Sequence, residues 1–140
     1  MTIREFREAD CEALVAILRA NLQYGDPRND GREGMLRVAA CPAAVFLVAE
    51  EAGVPVGLVR GVYDGAKAFI HIVSVRPDCQ RRGIGTALVR EAARVLRARG
   101  ASNLTVTVPG DNLDFWKRLG FRLTKRVMEA HDIDDVAGEG

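Results

Sequence analysis

The period of apolar positions changes several times along the chain, and each change marks an element. A short strand is expected at Thr2–Phe6. Leu14, Val15, Ile17, Leu18 and Leu22 then share one helical stripe, with Asp10 placed to cap it. The turn-rich run from Tyr24 to Arg32 reads as a loop. A short helix through Met35, Leu36 and Val38 follows and is broken at Cys41-Pro42. Val45–Glu50, Val54–Tyr63 and Lys67–Val75 read as three antiparallel strands, with turns at Glu51-Ala52-Gly53 and Asp64-Gly65. Helical spacing returns from Gly83 to Arg99, burying Ile84, Leu88, Ala92, Val95 and Leu96, and Gly100 stops it. A strand at Leu104–Val108 comes next. Asp111 is placed to cap a short helix that carries Phe115, Trp116 and Leu119 and ends at Gly120; Phe121–Glu129 is the closing strand.

This order predicts an α+β fold: a mixed, mostly antiparallel sheet with flanking helices and a β-α-β unit in its second half. The 140 residues suffice for one core, so a single domain is expected over 1–140, with a frayed acidic tail at 132–140.

Composition narrows the function. With 48% hydrophobic and 28% charged residues and a net charge of +1, nothing draws the whole chain to nucleic acid or membrane. Arg76, Arg81, Arg82, Arg90, Arg94, Arg97 and Arg99 do crowd one quarter of it, but without interleaved aromatics. Cys11, Cys41 and Cys79 are widely spaced and form no CxxC pair. With only His71 and His131 beside them, they suit a reducing compartment and give no metal centre. No apolar run approaches the ~18 residues of a membrane span, and the Met1 end has no signal-peptide pattern, so a cytoplasmic setting is expected.

The candidate chemistry lies at Gln80-Arg81-Arg82-Gly83-Ile84-Gly85, between the expected third hairpin strand and the long helix. Glycines let backbone approach closely, successive turn N–H groups converge, and the helix end adds partial positive charge. Arg81 and Arg82 add formal charge, as a phosphorylated ligand requires. A mononucleotide loop would need a lysine before Thr86, and a dinucleotide turn would need a third glycine where Leu88 stands. A plain glycine turn between strand and helix fits the same six residues.

Gln80-x-x-Gly83-x-Gly85, preceded by Val73-x-Val75 and Pro77, resembles the acetyl-CoA motif Q/R-x-x-G-x-G/A of the GNAT superfamily of N-acetyltransferases. Phe46 to Glu50 followed by Gly57, then Asn112, then Phe115-Trp116-x-x-Leu119-Gly120-Phe121 extend the likeness over about residues 2–129. The resemblance implies a GNAT-like acyl-CoA N-acyltransferase fold with a splayed β-α-β unit. It implies acetyl-CoA as cosubstrate, with no metal. Gln80, Arg81, Arg82, Gly83, Ile84, Gly85 and the Thr86 hydroxyl would hold the pyrophosphate. Val73 and Val75 would pair with pantetheine, and Asn112, Phe115 and Trp116 would also touch the coenzyme.

The implied reaction is direct attack of a primary amine on the thioester in a ternary complex. The Val73 N–H is then the candidate oxyanion donor. His71, expected on the same strand face as Val73 and Val75, is the candidate base, with Glu50 and Asp64 as alternatives. Trp116 stands where many members carry the tyrosine acid, and an indole does not give up its proton at neutral pH. Tyr63 or Tyr24, or water, would have to replace it. Cys79, with no adjacent base, is expected to be a spectator. The acceptor, a small-molecule amine or a protein or peptide amine, would sit by the Leu22–Arg37 region and the loop after Tyr63, near Asp26, Asp30 and Glu33. Family members often pair as homodimers. The alternative is an acyl-CoA-binding sensor or interaction domain with little or no transferase activity.

Overall fold

Three strands between Ala44 and Val75 are apolar along most of their length, and they form the middle of the sheet. The computed structural model describes residues 1–108, 112–124 and 127–138. Its sheet runs β1 (Thr2–Glu5), β2 (Ala44–Glu51), β3 (Val54–Tyr63), β4 (Ala68–Val75) and β5 (Thr105–Val106), in that spatial order. The first three pairings are antiparallel and β4 pairs β5 in parallel. The expected mixed sheet is thus present. Residues Met1–Val106 form one compact unit and Thr107–Gly140 a second.

In the first unit, alternation along the strands sends apolar side chains to both faces. On one face, Phe46, Val48 and Leu58 pack with Cys11, Leu14, Ile17 and Leu18 of α1 and Met35 of α3. These helices span Cys11–Ala20 and Arg32–Ala40, and the one-turn α2 (Pro27–Asp30) lies between them. On the other face lies α4 (Ile84–Ala98): a Cβ added to Gly57, next to Leu58, would lie 3.1 Å from Leu88 Cδ1. Leu88, Ala92 and Leu96 are buried there as the helical period requires.

The structure departs from the expected elements at five places. Asp10 does not cap α1. Its carboxylate turns back to accept from the Arg7 N–H and from both terminal nitrogens of Arg4, each at 2.8 Å. The Tyr24–Arg32 loop contains α2, because Asp26 caps it by accepting from the Arg28 N–H and Pro27 fits the first turn. The third departure is a bulge in β4. Arg60 faces Ile72 and Gly61 faces Ile70, so His71 is the extra residue. Gly61 permits it: a Cβ there would lie 2.6 Å from the Phe69 carbonyl oxygen.

The fourth departure follows from the bulge. β5 is two residues long instead of five, and its pairing with Phe69 and Ile70 stops at the residue before His71, where the ladder is disturbed. Fifth, residues 121–124 and 127–129 carry no strand; the rest of the expected closing strand, and the expected cap Asp111, lie outside the described residues. The second unit has no other strand among its described residues to supply a ladder partner, and Leu123, Val127 and Met128 are exposed. It holds α5 (Leu113–Arg118) and a one-turn α6 (Asp134–Ala137) within the acidic tail. Among the described residues no helix is long and apolar enough to cross a membrane, and no group of three or more His, Cys, Asp or Glu could hold a metal ion.

Candidate functional site

Where β4 ends, the chain makes one 3-10 turn (Pro77–Cys79) and then the glycine turn that starts α4. Buried Cys79 anchors the turn from below, which suits a spectator thiol. Arg81 and Gly83 both sit in the left-handed region, at φ 63° and 82°. Nothing would lie within 4 Å of a Cβ on Gly83, so the space over the turn is open. Among the described residues, the main-chain N–H groups from Arg81 to Thr86 donate to no acceptor, the first internal bond of α4 being Ala87 N–H to the Gly83 carbonyl. Six consecutive free donors at a helix N-terminus make an anion cradle. Its formal charge is smaller than the sequence suggests. Arg82 is held at 2.7 Å by Glu51, which raises its pKa, while exposed Arg81 makes no ion pair among the described residues.

Gln80 does a second job. Its side-chain amide donates to the Val75 carbonyl at 2.9 Å and to Asn21 Oδ1 at 3.1 Å. Asn21, just past α1, donates in turn to the Val75 carbonyl and to the buried Ser74 hydroxyl, both at 2.8 Å. Gln23 donates to the Val73 carbonyl at 3.2 Å. These carbonyls point away from β3, onto the β4 edge that β5 leaves unpaired beyond Ile70. The N–H groups of Val73 and Val75 share that direction, since both polar groups of a strand residue face one neighbour. The edge therefore offers N–H donors, while Val75's carbonyl already has two partners. Asn21 and Gln23 carry no periodic or motif signal, and sequence reasoning missed them.

The bulge changes the expected grouping of His71. Val73 and Val75 pair with Val59 and Gly57 and share the α4 face. His71 instead stacks on Phe69, with ring centroids 6.3 Å apart, and joins the face carrying Arg60 and Ile72. It does not point with Val73 and Val75. The ring reaches solvent, yet desolvation among its neighbours, and then the Arg60 charge, push its pKa below the usual value. Tyr24 packs on this same helix-covered face, under the guanidinium of Arg19 at 4.6 Å.

The alternative acids and bases each have partners already. Glu50 accepts from Arg4 at 2.9 and 3.0 Å. Asp64 accepts from the Ala66 and Lys67 N–H groups at 2.8 Å, bonds that lower its pKa, the Lys67 bond most. Tyr63 donates to the Gly65 carbonyl at 2.9 Å in the same hairpin turn. Its partner Ala68 is five residues from Val73, about 16 Å along the strand. The acids expected to greet a cationic amine are also engaged: Asp26 caps α2, and Asp30 accepts from the Gly25 and Asp26 N–H groups at 2.9 Å. Glu33 is exposed.

In the second unit, Asn112 precedes α5 without capping it, and its side chain is exposed. Trp116 is buried, edge-on to Phe115 at 5.0 Å and Phe121 at 5.2 Å. That is a packing role.

Three solved structures share this architecture. The Ard1 protein of Thermoplasma volcanium is 27% identical, with a TM-score of 0.77 over 89% of this chain and 84% of its own. A transcriptional regulator from Bacillus halodurans C-125 is 25% identical, with a TM-score of 0.80 over 94% of this chain and 99% of its own. The PaiA N-acetyltransferase of Thermoplasma acidophilum, in complex with coenzyme A, is 18% identical and alike in fold, with a TM-score of 0.81 over 90% and 92% of the two chains. The model of the acetyltransferase (GNAT) family matches residues 10–121, the greater part of the sequence, and the chain belongs to that family.

Proposed function

We propose that the protein is an acetyl-CoA-dependent N-acetyltransferase, a single catalytic domain in which a primary amine attacks the thioester directly in a ternary complex. The observation that carries this reading is the continuity of free donors: the β4 edge presents Val73 and Val75 N–H groups and leads into the six N–H groups of Arg81 to Thr86. A ligand with an extended amide-bearing arm and a pyrophosphate at its far end matches that line. Arg81 adds charge at the cradle, and Thr86 adds a hydroxyl. Family resemblance adds Asn112 and Phe115 to the coenzyme contacts.

The Val73 N–H is positioned to stabilise the developing oxyanion, a contribution of about 3–4 kcal/mol for a preorganised donor. The Val75 N–H binds the arm, and Asn21, Gln23 and Gln80 keep the edge from closing by occupying its carbonyls. His71 takes the amine proton, directly or through one water. Its lowered pKa keeps it neutral, and so able to accept, at neutral pH. A thiolate leaves readily enough that departure needs no tyrosine beside it. Trp116 takes no part in proton transfer.

Calorimetric titration of acetyl-CoA, with coenzyme A and ADP as comparators, tests the reading. Saturable binding that collapses in Gly83→Glu, together with thiol release when an amine panel is added, is the expected result. Binding without release over a broad panel would favour an acyl-CoA sensor, and no binding of any of the three would overturn the site.

A further inference from the structure

Arg90, Arg94 and Arg97 stand at i, i+4 and i+7 on α4, so they share one face over about 10 Å of helix. Like charges at these spacings repel, and a helix that needs only a solvated face intersperses acids among them. Here Glu91 takes Arg94 alone, at 2.9 Å. Arg90 and Arg97 are exposed, with no hydrogen bond or ion pair among the described residues. All three arginines border a groove of about 350 Å³, lined by α4 on one side and by residues 101–104 on the other. Leu96 and Leu104 give it apolar surface, and the Asn103 main-chain N–H donates to no acceptor among the described residues. Cations, a free donor and apolar side chains together suit an acidic segment with apolar anchors. No aromatic ring lines the groove, as the stacked bases of a single-stranded nucleic acid would require.

The chain itself carries such a segment. Asp132, Asp134 and Asp135 fall within four residues of its acidic tail. Asp132 accepts from the Asp134 N–H at 2.9 Å, while the carboxylates of Asp134 and Asp135 have no partner among the described residues. Ile133 and Val136, three positions apart and so on one side of a helical turn, are 77% and 75% exposed. Both the carboxylates and the apolar pair are thus left without a use. We propose that residues 132–136 of a second copy dock in this groove, with carboxylates on Arg90 and Arg97 and with Ile133 and Val136 against Leu96 and Leu104. So small and charged a contact makes a transient, salt-sensitive association. It is independent of the coenzyme site, since none of these residues belongs to the cradle or to the β4 edge.

Sedimentation velocity of the full chain over a concentration series tests this docking. The wild type should associate as concentration rises, and high salt should abolish the association. Arg90→Glu combined with Arg97→Glu should give a monomer, and so should Asp134→Lys combined with Asp135→Lys. An equimolar mixture of the two variants should associate again, because each reversed surface meets its complement on the other chain. All four residues are exposed, so both variants should keep the wild-type melting temperature. A synthetic peptide of residues 129–138 gives a second measurement. The wild-type chain should bind it at least about tenfold more tightly than the doubly substituted groove does, and more tightly by a similar factor than a peptide with Ile133→Ser and Val136→Ser. A wild type that stays monomeric, or a mixture that does, overturns docking by a second copy. Equal binding of the serine peptide would reduce the contact to general charge attraction and overturn it as well. A single-stranded oligonucleotide that displaces the peptide would give the groove to nucleic acid instead.

Discussion

The side-chain amide of Gln23 donates to the main-chain carbonyl of Val73 at 3.2 Å, two residues beyond the bond from Asn21 to Val75. Between them Leu22 is held at φ 57° with its side chain 95% exposed. A leucine in the left-handed region costs about 1–2 kcal/mol, so something must hold it there. The two flanking amides do. The end of α1 is thereby fastened to β4 where the strand is left without a partner, and the edge is kept open without being frayed.

Removing one of these amides should therefore be felt as a structural loss. Asn21 serves the buried Ser74 hydroxyl, the Val75 carbonyl and the Gln80 side chain together. Asn21→Ala is expected to destabilise the fold by about 1–3 kcal/mol, the range for leaving buried polar groups unmatched. Urea unfolding measures it, as a lower midpoint with an unchanged slope. A shift under about 0.5 kcal/mol would be that of an ordinary surface change and would contradict the fastening role.

Gly83 separates backbone strain from ligand exclusion. Its φ of 82° disfavours any side chain, but no atom lies within 4 Å of a Cβ. Gly83→Ala should cost about 1 kcal/mol of stability through strain alone and leave coenzyme A affinity within a few-fold. Gly83→Glu should cost about the same stability yet lower that affinity more than a hundredfold, because it puts a negative charge in the anion cradle. Thermal unfolding and calorimetry on the two variants give both quantities. Equal affinities would place the pyrophosphate elsewhere.

Much of this arrangement is legible in the residues. The apolar runs from Val45 to Val75, punctuated by turns at Glu51-Ala52-Gly53 and Asp64-Gly65, yield the meander, and Gln80 to Gly85 between strand and helix yields the cradle. The bulge is not legible. Gly61 breaks no pattern by itself, and the close approach to the Phe69 carbonyl that requires it exists only once β3 and β4 are paired. Because the period of a strand is two, that one extra residue moves His71 off the face of Val73 and cuts β5 short. Asn21 and Gln23 were equally invisible: a single amide becomes a clamp only through the carbonyl it reaches.

The ion network at the start of the sheet yields a pH prediction. Arg4 bridges Asp10 and Glu50, with Arg4 and Asp10 side chains 13% and 5% exposed. Burial alone would raise the Asp10 pKa; the Arg4 hydrogen bonds and the Arg7 N–H outweigh it and hold the carboxyl below its usual range. Asp10→Asn should cost about 3 kcal/mol at pH 7, as for a broken buried pair. A depressed carboxyl pKa gives stability that is complete above the unfolded value of about 3.9 and is lost as pH falls through the lower folded value. The gap between wild type and variant should thus narrow below about pH 4 in urea titrations. A gap that stays constant to pH 2.5 would show that the carboxylate charge is not what stabilises.

His71 and Arg60 together set the last expectation, since the same pair fixes the base and its working range. Desolvation and then the Arg60 charge lower the His71 pKa, so the acidic limb of kcat/KM should have its midpoint below the ordinary value of about 6.5. His71→Gln should reduce kcat by roughly a hundredfold or more, the usual span of a positioned base, and flatten that limb. Arg60→Met removes one of the two depressing influences, so its limb should move toward higher pH while the base stays in place. An Arg60→Met profile superposable on wild type would show that the guanidinium does not tune the imidazole. A limb that survives in His71→Gln would assign the proton to a water chain.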